Sequence, residues 1–186
     1  MRHRPGLIMR TPFRLLSIIA AIALFACEQK VVDLSTSSGG LETFFRIERT
    51  PCFGFCPAYK ATVTDKDILL FEGEHYVAKS GTVNVKELPE GSFSKLIDIA
   101  KEQQFASFDS SYPNEAGDNC PQQATDLPGV IITVQSLDIS HAVRFDLGCF
   151  GFDGRERLEK MISEIDAVMA LDEWIGPRED FMGARE

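Results

Sequence analysis

Two cysteines stand four apart in TPCFGFCPAY, Thr50 to Tyr59, with Gly54 midway between them and Pro57 directly after the second. Thiols in this arrangement admit three chemistries: thiol–disulfide exchange, metal ligation, or a structural bridge. Redox pairs of the thioredoxin type use Cys-x₂-Cys at a helix start, where the dipole lowers one thiol's pKa. Here three residues intervene, and Pro57 and the strand-like AYKATVT follow. Structural zinc sites bring cysteines in close pairs, whereas Cys120 and Cys149 lie far apart in the chain. The spacing favours a staple in which Gly54 allows the sharp turn. Redox use of Cys52 and Cys56 is the competing reading.

The compartment decides between a free thiol pair and a bridge, because disulfides persist outside the reducing cytosol. Arg2, Arg4, Arg10 and Arg14 precede a twelve-residue apolar run, LLSIIAAIALFA, which Cys27, Glu28, Gln29 and Lys30 end. That is the charged start and short apolar region of a secretory signal. It falls short of the roughly 20 apolar residues of a membrane-spanning helix. The junction LFAC, Leu24 to Cys27, resembles the lipobox of bacterial lipoproteins. That resemblance implies cleavage after residue 26 and acylation of Cys27, with two or more chains giving a stable anchor. The chain is then expected in the bacterial cell envelope, lipid-anchored at the outer membrane and facing the periplasm.

Four of the 19 basic residues and none of the 28 acidic ones precede Cys27, which leaves 15 against 28, a formal charge of −13. No basic stripe is present, so nucleic acid is not an expected partner. The length after the signal suits one domain with a real core. Residues 28 to 43, polar with a Ser/Thr/Gly centre, read as a flexible linker that with Cys27 spans 27–43.

Four short strands follow: FFRIER (44–49), AYKATVT (58–64), ILLFEGE (68–74) and TVNVKEL (82–88). SFSKLIDIAKEQQF places Phe93, Leu96, Ile97 and Ala100 at helical spacing, with Ser92 as its cap. After an irregular polar stretch, 109–126, GVIITVQS and ISHAVRFDL form a hairpin around Leu137 and Asp138. The last helix starts at Asp153, with Glu156 completing a capping box, and its apolar stripe is Leu158, Met161, Ile162, Ile165, Val168 and Met169. The expected fold is an α+β domain over 44–174, an antiparallel sheet packed against two helices in the order ββββ-α-ββ-α. A loose tail, 175–186, follows.

These elements must position the remaining cysteines. Cys120 precedes and Cys149 follows the predicted hairpin, so the two can meet at one end of it, while Cys52 and Cys56 close a tiny loop. The crossed pairings stay open, since four cysteines allow three connectivities. No nucleophile, base and orienter set is evident. His141 falls on the apolar face of its strand, and the zincin, hydrolase-elbow and phosphate-loop motifs are missing. GCFGFDG, Gly148 to Gly154, could cradle an anion at a helix start, but the favoured reading is that its glycines permit the strand-to-helix turn. TDLPG reads as a turn, with Asp126 as an Asx cap and Pro128 setting the strand entry. No metal or cofactor is expected.

TPCFGFCPAY, then FEGEHYV, TDLPG before a strand, and a closing helix ending near Trp174 together resemble the bacterial domain of unknown function 6438 family, over about residues 44 to 174. The resemblance implies a domain behind a lipoprotein signal, a Cys52–Cys56 pair, and Cys120–Cys149 as a second, optional bridge. It marks Gly54, Pro57, Tyr59, Asp126 and Pro128 as motif residues and implies no activity. The expected role is a non-enzymatic binding or structural module for an envelope protein or small ligand. The alternative is a thiol–disulfide redox or other enzyme using Cys52 and Cys56.

Overall fold

Alternation in FFRIER puts Phe45 and Ile47 on one side of β1 (Phe44–Arg49), and both are fully buried. This pattern, repeated strand by strand, builds the core in a computed structural model whose described residues are 43–179. Leu69 and Phe71 of β3 (Ile68–His75), with Ala61 and Val63 of β2 (Ala58–Thr64), continue the buried face. Val130, Ile132 and Val134 of β7 (Gly129–Gln135) and Val143 and Phe145 of β8 (Ser140–Asp146) extend it. β4 (Val83–Glu87) completes the first four strands.

The sheet runs β4-β3-β2-β1-β7-β8-β5, and every pairing is antiparallel except that of β5 (Ser111–Tyr112) with β8. β1 lies at its centre. Phe44 faces Thr64 and Gln135, and Arg49 faces Tyr59 and Val130. The chain therefore enters β1 at the end that holds the β2–β3 turn and the β7–β8 hairpin. It leaves at the opposite end, into the Cys52–Cys56 loop.

α1 (Ser92–Glu102) and α2 (Arg155–Met169) bury Leu96, Ile97 and Ala100, and Leu158, Met161, Ile162, Ile165 and Met169, in the same core as the strand residues. The apolar stripes read from helical spacing thus face the sheet. Their caps differ from expectation. Gly91 occupies the α1 cap at φ 85, and the donors there are taken by Asp67 from the β2–β3 turn: Gly91 N–H at 2.9 Å and Phe93 N–H at 2.6 Å. The Ser92 hydroxyl instead donates to the Pro89 carbonyl. α2 likewise begins after Gly154 at φ 91 with no side-chain cap, so the Asp153–Glu156 box does not form.

The polar stretch before β7 is less irregular than its composition implies. It contains β5 and β6 (Gln122–Gln123), the latter paired with β9 (Cys149–Phe150). Tyr112 of β5 is buried and stacks on Phe152 at 4.1 Å, which holds the stretch against the core. Phe105 and Phe108, in and after a short 3-10 turn (Phe105–Ser107), are buried beside it. At the other end of the chain, α3 (Asp172–Ile175) is tied to the segment after β3. Ala78 and Lys79 donate to the carbonyls of Ile175 and Trp174. No helix among the described residues is long and apolar enough to cross a membrane.

Candidate functional site

The loop between β1 and β2 is anchored before it turns. Thr50 N–H donates to the Gly129 carbonyl at 2.9 Å, and Gly129 N–H donates back to Thr50 Oγ1 at 2.7 Å. This clasp joins TPCFGFCPAY to TDLPG, two motifs 79 residues apart in the chain. Asp126 sits at φ 71 and is exposed, and its carboxylate accepts from Thr125 Oγ1. The Asx cap is not made among the described residues: Pro128, two residues on, has no N–H, and the next donor, Gly129 N–H, goes to Thr50. Pro128 does lead into β7, its carbonyl accepting from Leu147 N–H.

Cys52 and Cys56 are disulfide-bonded, with Cα atoms 5.7 Å apart. Gly54, at φ 155, donates to the Cys52 carbonyl inside the ring they close. L side chains rarely adopt that φ, which is why glycine suits the turn. The small ring turns its two phenylalanines differently. Phe53 projects into solvent, 89% exposed, while Phe55 meets the Tyr76 ring edge-on at 5.1 Å.

Phe55, Cys56 and Pro57 form one wall of a cleft of about 350 Å³. Tyr76 and Pro128 come from the neighbouring loops, and Ile175, Gly176 and Arg178 close it from the end of α3. Its polar groups are few: Arg49, Tyr59 and Asp166 contribute them together with Arg178. Tyr59 shares the core face of β2 with Ala61 and Val63, and its ring stacks on Phe71 at 5.2 Å, while the register shift beside it leaves Glu74 of β3 as the extra residue. Phe71 in turn stacks on Trp174 at 5.4 Å. The cleft thus stands on an aromatic column.

Arg49 donates to Asp166 Oδ2 at 2.9 Å, bridging the end of β1 and the last turns of α2. Both side chains are largely buried, and burial raises the Asp166 carboxyl above its ordinary pKa against the opposing pull of Arg49. The Tyr59 hydroxyl, which also shares a hydrogen bond with Arg49, is pushed up to about 12 chiefly by burial. Asp166 Oδ1 is buried and accepts no hydrogen bond among the described residues. A buried acceptor left without a donor costs desolvation free energy.

A family model, Domain of unknown function (DUF6438), matches residues 43–169. The chain belongs to the DUF6438 family. No curated protein matches it. The DUF6438 match includes the clasp, the Cys52–Cys56 ring, Tyr59 and the Arg49–Asp166 pair, and ends before α3. The part of the cleft formed by Ile175, Gly176 and Arg178 is thus added by residues beyond the matched span.

The second bridge of this DUF6438 domain, Cys120–Cys149, has Cα atoms 5.4 Å apart and lies beside the β6–β9 pairing. Both local pairings left open by spacing are therefore the ones formed. The glycines of GCFGFDG serve the turn into α2, with Gly151 at φ 77 and Gly154 at φ 91. Arg155 fills the space there: its guanidinium donates to the Cys149 and Leu147 carbonyls and lies over the Phe150 ring at 4.3 Å. His141 Nε2 is 3.0 Å from the Phe108 carbonyl, with the ring edge-on to Phe105, as expected of a hydrogen-bonded core histidine. His75 is exposed at the end of β3, with three strands between it and His141. No group of three His, Cys, Asp or Glu side chains among the described residues is placed to hold a metal.

Of the residues singled out by sequence, Cys56, Pro57, Tyr59 and Pro128 converge on the cleft, and Asp126 stays outside it. Cys27 lies outside the described residues. Tyr76 lies within FEGEHYV, whereas Arg49, Asp166 and Arg178 carry no motif signal. Asp166 does have one faint mark: it is a carboxylate directly after Ile165 on a helix that buries Leu158, Met161, Ile162, Ile165 and Met169.

Proposed function

We propose that this chain is a lipid-anchored envelope protein, held through acylated Cys27 and facing the periplasm, whose folded domain binds a small ligand or peptide segment in the cleft beside Cys56. The observation that carries the binding role is the cleft itself: about 350 Å³, lined mainly by apolar and aromatic side chains with a few convergent polar groups. Small-molecule sites have that character and a volume of about 300–1,000 Å³. Phe53 is exposed on the same bridged loop, two residues before Phe55 of the cleft wall. The chain enters β1 at the end of the sheet opposite this loop.

Backbone amide shifts of the isotopically labelled chain, recorded with small aromatic and peptide fragments, test the binding role. Shifts concentrated on residues 55–59, 76, 128 and 175–178 are expected. Fragments that perturb only other surfaces would refute it. Acyl labelling tests the anchor: Cys27→Ser should abolish label incorporation and move the chain from the membrane to the soluble fraction.

A second reading, thiol–disulfide exchange, draws on the position of Cys56 in the cleft wall. It requires the Cys52–Cys56 bridge to be reduced by a glutathione buffer that leaves Cys120–Cys149 intact. A bridge inert in that buffer favours the binding module.

A further inference from the structure

We propose that β4 is a docking edge for an extended segment of a partner protein, which adds to the seven-stranded sheet as a further antiparallel strand. The segment reads basic-x-apolar-x-apolar, with its basic residue opposite Glu87 and its apolar residues opposite Val85 and Val83. This role is independent of the cleft, since no β4 residue lines it.

The first observation is which backbone groups face outward. Along an antiparallel pair, residues alternate between exchanging both hydrogen bonds with the residue opposite and making none to it. Leu88 N–H donates to the Asp67 carbonyl at 2.8 Å, in the register that pairs Glu87 with Ile68 and Val85 with Leu70. Asn84 and Lys86 share the phase of Leu88 and bond to β3. The N–H and C=O groups of Val83, Val85 and Glu87 therefore point away from β3, along a margin that no described strand covers. An extended peptide adds to such a row through its own main chain.

The second is that the devices that blunt a sheet margin are missing from β4 itself. Proline, a bulge, or lysine side chains held over the edge commonly serve that purpose. β4 has no proline, and its register with β3 is unbroken. Its one lysine is engaged elsewhere. Lys86 lies on the core side, opposite Leu69, paired with Glu173 at 2.6 Å and 6.0 Å from the centre of the Trp174 ring. What the margin offers instead is apolar: Val83 and Val85 are 57% and 56% exposed, and half-buried Leu70 and Ile68 lie beside them on the same open face. Alternate side chains of an added strand would extend this strip and remove it from water.

The third is charge. Glu87 shares the face of the two valines, is exposed, and makes no ion pair among the described residues. A basic residue directly opposite it in the added strand supplies that partner. A second copy of this chain does not. Pairing β4 with itself about Val85 sets Glu87 against Val83 and brings together two molecules of net charge −9. A basic, strand-forming segment of another protein satisfies the valines and Glu87 at once.

The test uses the full chain in detergent and the peptide acetyl-Lys-Thr-Val-Thr-Val-amide, read by amide shifts and hydrogen exchange. Both threonines carry N-methyl groups; in this register their nitrogens face away from β4, and methylation also stops the peptide pairing with itself. Slowed exchange at Val83, Val85 and Glu87 is expected, with residues 55–59 of the cleft unmoved. Moving the methyl groups to the two valines should weaken binding about tenfold or more, and replacing the lysine by glutamate about fivefold. Glu87→Lys should reverse that charge preference. Val85→Pro removes an N–H that points outward, so it should keep the parent's thermal unfolding and lose the peptide. Glu87→Lys, on an exposed and unpaired side chain, carries the test should the proline disturb the fold.

Binding that tolerates methyl groups on the valines would overturn strand addition. Equal binding of the lysine and glutamate peptides would overturn the basic class of partner. Concentration-dependent protection of Val83 and Val85 without peptide would assign the edge to a second copy and overturn the proposal, as would the absence of any shift in β4 with these peptides.

Discussion

Arg49 and Asp166 are 117 residues apart in the chain and 2.9 Å apart in the fold, and their bond ties the last residue of β1 to α2 at the floor of the cleft. The pair is not simply stabilising. Burial outweighs the attraction of Arg49, so folding raises the pKa of the Asp166 carboxyl above its ordinary value.

That shift has a sign in pH. Because the folded pKa of Asp166 lies above its unfolded value, its contribution is fully present below the unfolded value and is lost as pH rises through the folded one. Asp166→Asn, which imitates the neutral carboxyl, should therefore gain stability relative to the parent between about pH 3 and pH 7. Urea unfolding at both pH values checks this. A variant that loses ground at the higher pH would show that the ion pair dominates.

The two bridges should differ in worth. They close loops of 4 and 29 residues, for which chain entropy gives about 2 and about 3.6 kcal/mol. Replacing Cys52 and Cys56 by Ala should thus cost less than replacing Cys120 and Cys149. Alanine is the right replacement at Cys149, which is fully buried, since a serine hydroxyl there would add a desolvation cost of its own. Denaturation midpoints of the two double variants give the comparison.

Asp67 reaches from the β2–β3 turn to two donors at the start of α1, so its effect on stability should exceed that of Ser92. Asp67→Ala should cost about 1–2 kcal/mol, the range for a lost helix cap. Asp67→Asn should cost less, since asparagine tolerates the φ of 58 there and keeps one acceptor. Thermal unfolding of the pair separates capping from backbone strain.

Gly73 in FEGEHYV permits a close crossing of the chain over itself. A Cβ at this position would lie 2.0 Å from the Lys79 carbonyl oxygen and 2.6 Å from Val77 Cγ2, and the Gly73 carbonyl accepts from Gly81 N–H. Gly73→Ala must displace backbone, and a loss of about 2–3 kcal/mol is expected. It should also loosen Tyr76, which would appear as faster amide exchange in residues 75–82.

The strands and helices were readable in advance because their apolar residues repeat at 2 and 3.6, the periods that decide which face meets the core. Phe45 and Ile47, or Leu158, Met161 and Ile165, announce their side by spacing alone. The caps are not legible from local sequence, for a different reason. Ser92 and Asp153 have the right chemistry next to a helix start, but the donors at α1 are met by Asp67, 24 and 26 residues away. Distance along the chain hid the cleft in the same way. The signature loop is conspicuous in sequence, whereas Asp166 and Arg178 reach it only once α2 and α3 have docked. The short strands β5, β6 and β9 were hidden because two residues carry no period, and tertiary pairing alone creates them.

The two margins of the sheet are unequal. On one side β5 contributes two residues and runs straight into Pro113, whose missing N–H stops the ladder. On the other, β4 offers five residues, with Val83 and Val85 more than half exposed. Among the described residues, β4 is therefore the longer of the two marginal strands for strand addition. A charge placed on β4 should slow it, while the same charge near β5 should not.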